Sequence, residues 1–130
     1  MKQHRVLFVD DEPALVTLTV RGLARLGYRI TGCTHPMQAY AAFSTQPDGF
    51  DVVITDLSMP SMSGFALARR LYALRPEIPV LLLSGYVNAA DRAEADLCGI
   101  REIILKPITM EKLDDALTRL FADRVALDPL

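Results

Sequence analysis

Residues 6–12 read Val-Leu-Phe-Val-Asp-Asp-Glu. Four apolar residues stand in a row and three acids follow. A strand with one wet face alternates apolar and polar residues, so an unbroken run ended by charge suits a strand covered on both faces. The period then changes. From Pro13 to Leu26, the residues Leu15, Leu18, Gly22 and Leu26 recur at helical spacing, and Gly27 suits the left-handed residue that stops a helix. The stretch is one strand–helix unit with its acids at the strand's carboxyl end.

Further along the chain the same couplet returns. Arg29–Cys33 reads as a second, weaker strand, and Pro36 starts a helix to about Ser44 with Met37, Tyr40 and Phe43 apolar. Val52, Val53 and Ile54 form a third buried strand ending at Asp56. After a loop rich in Ser, Met and Pro, Gly64 opens a helix with Leu67, Leu71 and Leu74 on one face. Pro79–Leu83 is the fourth and most apolar strand. Asn88–Cys98 reads as a thinly apolar helix whose inner stripe is Ala89, Ala93 and Leu97. Ile103–Leu105 is a short fifth strand ending at Lys106, and Thr109 caps a last helix with Met110, Leu113, Leu117 and Leu120 inward. Five such units without turn-linked strand pairs predict one parallel sheet covered on both faces, an α/β fold. Residues 1–121 read as one domain and 122–130 as a loosely attached tail.

Composition narrows the function classes. The 130 residues are 51% apolar and 23% charged, which suits one globular domain with a substantial core. A formal charge of −2 gives no basic excess for nucleic acid or an anionic membrane surface. Cys33 and Cys98 stand far apart with no metal-ligand spacing, as buried thiols of a reducing compartment would. The N-terminus lacks the apolar core of a signal peptide, and Ile78–Leu83 falls far short of the ~20 residues a membrane helix needs. A soluble cytoplasmic domain is expected. His4 and His35 are isolated and read as surface histidines.

In parallel sheets, sites form at the carboxyl ends of the strands. Those ends carry Asp10 and Asp11, then Asp56, Ser84 and Lys106. Three neighbouring carboxylates repel, and hard oxygen donors on a rim suit Mg²⁺. An ammonium and a hydroxyl suit phosphoryl oxygens. Together they point to phosphoryl transfer onto a carboxylate, giving an aspartyl phosphate. Plainer roles stand beside this reading: Asp11 as a helix cap, Glu12 as a partner of the helix dipole, Lys106 as a salt bridge. The Lys106–Pro107 bond is a candidate cis peptide.

At this point the chain resembles a known family. FVDDE (Phe8–Glu12), TDLSMPSMSG (Thr55–Gly64), LLSGY (Leu82–Tyr86) and LKP (Leu105–Pro107) are similar to the motifs of receiver domains of two-component response regulators, across about residues 4–121. The resemblance implies a flavodoxin-like (βα)5 doubly wound sandwich with strand order 2-1-3-4-5. It implies Asp56 as phosphoacceptor, with Asp10, Asp11, Asp56 and the backbone carbonyl of Ser58 holding Mg²⁺. Ser84 and Lys106 would contact the phosphoryl group, and the backbone amides of Leu57 and Gly85 would complete the cradle. The implied donor is a phosphohistidine on a sensor histidine kinase or a histidine phosphotransfer domain. A signalling domain of this kind is a phosphoacceptor rather than a conventional enzyme, a monomer or weak dimer, without nucleic-acid or membrane contact of its own.

LLLSGY followed by GIREIILKPI is most like the C-terminal receiver of hybrid sensor histidine kinases. Two positions depart from the family pattern: Ile103 replaces a frequent aromatic three residues before the lysine, and a bulky Tyr86 follows Ser84 by two. Other readings fit less well. A dehalogenase-type phosphatase needs an acid where Ser58 stands, and a flavin carrier needs a phosphate loop where Asp10, Asp11 and Glu12 would repel it. A receiver-like interaction module that works without phosphorylation remains the alternative.

Overall fold

Strands and helices alternate in the computed structural model, which describes residues 3–127, the last five as backbone only. They are β1 (Arg5–Val9), α1 (Pro13–Arg25), β2 (Arg29–Cys33), α2 (Pro36–Thr45), β3 (Val52–Asp56), α3 (Gly64–Leu74), β4 (Val80–Ser84), α4 (Ala89–Leu97), β5 (Glu102–Leu105) and α5 (Met110–Leu127). The sheet is parallel throughout, in the order β2-β1-β3-β4-β5. This is the flavodoxin-like arrangement expected from the sequence. Helical backbone continues past residue 121, where the sequence reading ended the domain, and residues 128–130 of the expected tail lie outside the described residues.

The central strands are apolar on both faces because each face has its own cover. Val6, Phe8, Val52, Ile54, Leu81 and Leu83 point into the layer filled by α1 and α5. Leu7, Val9, Val53 and Val80 point the other way, against Phe43 of α2 and Leu67 and Leu71 of α3. α4 has only a small cluster of its own, in which Ala95 and Cys98 meet Phe65 and Leu82. Leu113, Leu117 and Leu120 of α5 are buried as expected.

Two helices have the expected period in a different phase. In α1 the buried residues are Val16, Thr19 and Leu23, while Leu18 is 64% exposed. The cause lies in β2: a Cβ on Gly32 would come within 2.7 Å of both Val16 and Val20. Branched side chains seated over that glycine choose the face, not the largest ones. In α4 the expected stripe Ala89, Ala93, Leu97 faces solvent, and Leu97 is 83% exposed. Phe65 already fills the space beneath, so the helix presents small residues to it. A capping box between Asn88 and Asp91 fixes the start of α4. Smaller shifts occur in α2 and α3, where Met37 and Leu74 are partly exposed at the helix edges.

The phase of α1 has a measurable consequence. Leu23→Ala opens a cavity in the core and is expected to cost about 2–5 kcal/mol in urea denaturation, whereas Leu18→Ala stays within about 0.5 kcal/mol of the native protein.

Candidate functional site

The site is assembled where β1, β3, β4 and β5 end. Asp10 follows β1 directly; its amide still donates to the Cys33 carbonyl (3.1 Å), and its Oδ1 accepts the Glu12 amide (3.0 Å). That second bond turns the chain into α1 and leaves Oδ2 facing the rim. Asp56 is the last residue of β3, 5% exposed, and Asp10 is wholly buried. Thr55, a residue the sequence reading passed over, donates its hydroxyl to the Asp56 carbonyl (3.0 Å) and so holds the backbone beneath that side chain.

Lys106 enters from the end of β5, where its amide donates to the Ser84 carbonyl (2.8 Å). Its Nζ donates to Asp10 Oδ2 at 3.0 Å and lies 3.2 Å from Asp56 Oδ1. The Lys106–Pro107 bond is cis, as the sequence suggested. Asp11 is exposed beside the pair, and Asp10, Asp11 and Asp56 each place a carboxylate oxygen within 4.8 Å of the others. Hard oxygen donors at that spacing on a wet rim fit a small divalent cation that keeps several waters. Glu12 is not part of the cluster, and its amide serves only the turn.

Burial pushes the Asp56 carboxyl up from 3.8 to about 6, and the neighbouring Asp10 adds to the rise; the Lys106 ammonium works against both. Burial pulls on Lys106 the other way, but Asp10 and Asp56 outweigh it and its pKa is raised, so it stays an ammonium. The result is a carboxyl that ionises close to neutrality beside a fixed cation. An oxygen of this kind can attack an electrophilic phosphorus.

Ser84, at the end of β4, is 6% exposed. Its hydroxyl donates to the Tyr86 carbonyl (2.6 Å) and accepts the Tyr86 amide (3.2 Å). It therefore points into its own loop and not at Asp56. Leu57, Ser58, Ser84, Gly85 and the 73% exposed Tyr86 line a shallow groove of about 880 Å³ that starts at the residue after Asp56. Leu57 corrects one expectation: its amide donates to the Leu83 carbonyl (2.8 Å), which extends the β3–β4 ladder and takes that N–H away from any cradle. Ile103 packs with Phe65, Leu82, Ala95 and Cys98, so an aliphatic side chain occupies the ground under α4. The histidines have local roles that their isolation concealed: His35 caps α2 through Nδ1 (3.1 Å to the Met37 amide), and His4 stacks on Phe121.

Comparison with known proteins agrees with this geometry. A family model described as "Response regulator receiver domain" matches residues 6–118. Sensor protein EvgS of Escherichia coli (strain K12) is 34% identical over 115 residues, which are 88% of this chain and 9% of that protein. The response regulator receiver protein CpdR of Brucella abortus (strain 2308) is 27% identical over 109 residues, 84% of this chain and 89% of its own. Among solved structures, the chemotaxis protein CheY4 of Vibrio cholerae superposes with a TM-score of 0.84 at 26% identity, covering 91% of this chain and 98% of that one.

The raised Asp56 pKa fixes the sign of a pH effect. Between about pH 4 and pH 6 the folded chain holds a proton that the unfolded chain has released, so this group's contribution to stability falls as pH rises through that window. Asp56→Asn removes the cost of the buried charge. Without divalent cations it is expected to be more stable than the native protein by about 1–3 kcal/mol at pH 7, with the gap closing towards pH 4. Urea denaturation at both pH values measures it.

Proposed function

We propose that this chain, which belongs to the response regulator receiver domain family, accepts a phosphoryl group on Asp56. The donor is a phosphohistidine of a sensor histidine kinase or histidine phosphotransfer domain, and Mg²⁺ is the cation. A single observation carries the reading: one ammonium, Lys106 Nζ, lies within 3.2 Å of both Asp10 and Asp56, with Asp11 beside them. A salt bridge needs one acid, whereas a site for a dianionic group and its metal needs several ligands and a lysine.

In the reaction an Asp56 carboxylate oxygen bonds to phosphorus as the phosphorus–nitrogen bond of the donor breaks, and the histidine ring keeps the electron pair. Asp10, Asp11, Asp56 and the Ser58 carbonyl would hold Mg²⁺, which would supply positive charge to offset the negative charge on the transferred oxygens. Lys106 leaves its pairing with Asp56 and follows the charge to one phosphoryl oxygen. Ser84 turns from the Tyr86 carbonyl and donates to another. The amide of Gly85, an exposed residue, takes a third. Hydrolysis of the acyl phosphate restores the carboxylate, so the chain is a signalling phosphoacceptor rather than a conventional enzyme.

Among the described residues no helix is long and apolar enough to cross a membrane. The likeness to a sensor protein supports a receiver working in the cytoplasm as part of, or beside, a histidine kinase; the chain spans a small part of that relative's length. Ile103 in place of an aromatic means that no ring can swing at this position to report phosphorylation. Partner contact is assigned to the face of α4, β5 and α5, because α4 is thinly anchored and follows the Ser84 loop directly.

Two measurements test the reading. Incubated with Mg²⁺ and acetyl phosphate, the native protein is expected to gain one phosphoryl group by intact mass, and Asp56→Asn none; labelling that persists in Asp56→Asn would place the acceptor elsewhere. In a Mg²⁺ titration Asp11→Ala is expected to weaken binding about tenfold and Glu12→Ala less than twofold. Equal losses would remove Asp11 from the metal site.

A further inference from the structure

The loop between Asp56 and α3 returns on itself more closely than its length requires. Leu57 sits in the ladder through its amide, and its carbonyl accepts the Gly64 amide (2.8 Å), so residues 57–64 form a closed ring. Ser58 lies within that ring. The return is made at Ser61, whose φ of 69° is a left-handed conformation that a serine adopts at a cost, and the Met62 amide donates to the Pro60 carbonyl (2.9 Å) around it. The closure is made at Gly64. A Cβ there would lie 2.5 Å from the Asp56 carbonyl oxygen, 2.8 Å from Leu82 Cδ1 and 3.1 Å from the Leu57 Cα. Two of these three atoms are backbone of the residues that carry the acceptor, so a side chain could enter only by moving them.

We infer that Gly64, with the turn at Ser61, is a positioning residue of the site: its missing Cβ lets the first turn of α3 press on the Asp56–Leu57 backbone, which aims the Asp56 carboxylate and the Ser58 carbonyl at one cation. The inference rests on the metal reading given above. Gly64 does not have a left-handed φ, so the requirement is for space and not for conformational freedom. The Thr55 hydroxyl donates to the same Asp56 carbonyl, so that oxygen meets both β3 and α3. Groups that hold a metal ligand in place typically change affinity by about 10–100-fold when altered.

Titration with Mg²⁺, followed by amide chemical shifts, tests this without reference to phosphorylation. Gly64→Ala is expected to remain folded and to bind Mg²⁺ at least about tenfold more weakly than the native protein. Leu71→Ala, a cavity in the same helix far from the rim, is the control: it lowers the melting temperature and leaves Mg²⁺ affinity unchanged. Native affinity in Gly64→Ala, or an equal loss in Leu71→Ala, overturns the inference. Where Gly64→Ala does not fold, the exposed Ser61 decides. Ser61→Gly, which takes positive φ freely, keeps native affinity, and Ser61→Pro, held near about −65°, loses it several-fold. Ser61→Pro binding as tightly as native overturns the inference too. A native protein that binds Mg²⁺ but takes no phosphoryl group sinks the phosphoacceptor reading alone, and the affinity comparison among variants still judges Gly64.

Discussion

Everything at the rim depends on one ammonium between two buried carboxylates. Lys106 closes the sheet's functional edge by joining the end of β5 to the ends of β1 and β3, across the intervening β4. Such a triad is a poor device for stability, since desolvating three charges offsets most of their attraction. Asp56 records that cost directly: its carboxyl is raised to about 6 although a cation stands 3.2 Å away. A core selected for stability alone would place apolar residues here. Keeping the charges leaves Asp56 under-neutralised, with one Lys106 ammonium shared between two acids and Asp11 open to solvent. An acidic cluster left short of neutralising charge favours the uptake of further positive charge, as the proposed metal reading requires.

The sheet positions these groups with little freedom. Asp10, Asp56, Ser84 and Lys106 each come from the last residue of a strand or the one after it, and β1, β3 and β4 are pinned on both faces by apolar layers. Helix α3 supplies the remaining constraint, because its first residue lies against the backbone that follows Asp56. Rigid placement suits the proposed phosphoryl transfer, a reaction that gains mainly from alignment and fixed charge rather than from proton transfer by the protein.

Much of this was legible in the sequence, for definite physical reasons. Buried parallel strands must be apolar on both faces, so an acid, serine or lysine marks their ends without ambiguity; Asp10, Asp56, Ser84 and Lys106 were found that way. Helix faces were less legible. In α1 and α4 apolar residues occur on more than one side, and the side that packs is chosen by what lies beneath it: Gly32 under α1, Phe65 under α4. Neither neighbour is visible in the helix's own spacing. The Leu57 amide was misplaced for a related reason. A residue one past the acceptor looks like loop in sequence, yet the β3–β4 ladder continues through its N–H to the Leu83 carbonyl. The contact of Gly64 with the Asp56 carbonyl is tertiary and that of Thr55 depends on which way its hydroxyl turns, and the motif around them shows only that a glycine and a threonine are present.

Ser84 connects this rigid rim to its least rigid neighbour. A serine hydroxyl has one proton, and here it is given to the Tyr86 carbonyl at 2.6 Å. The same proton cannot be given to a phosphoryl oxygen, so the two bonds exclude each other. Tyr86 stands two residues before Asn88, whose side chain caps α4. That helix buries only Ala95 within its span, with Cys98 just beyond, and is tied to α3 by the Arg69–Glu94 ion pair, whose side chains reach into solvent. Exposed pairs of that kind contribute little, and small residues bury little apolar area, so α4 belongs to the low-stability end of the fold. Where many members of the family place an aromatic, Ile103 keeps the floor under α4 aliphatic. On the proposed reading, exchange of that single hydrogen bond would act through the backbone of residues 84–88 on the element that resists displacement least.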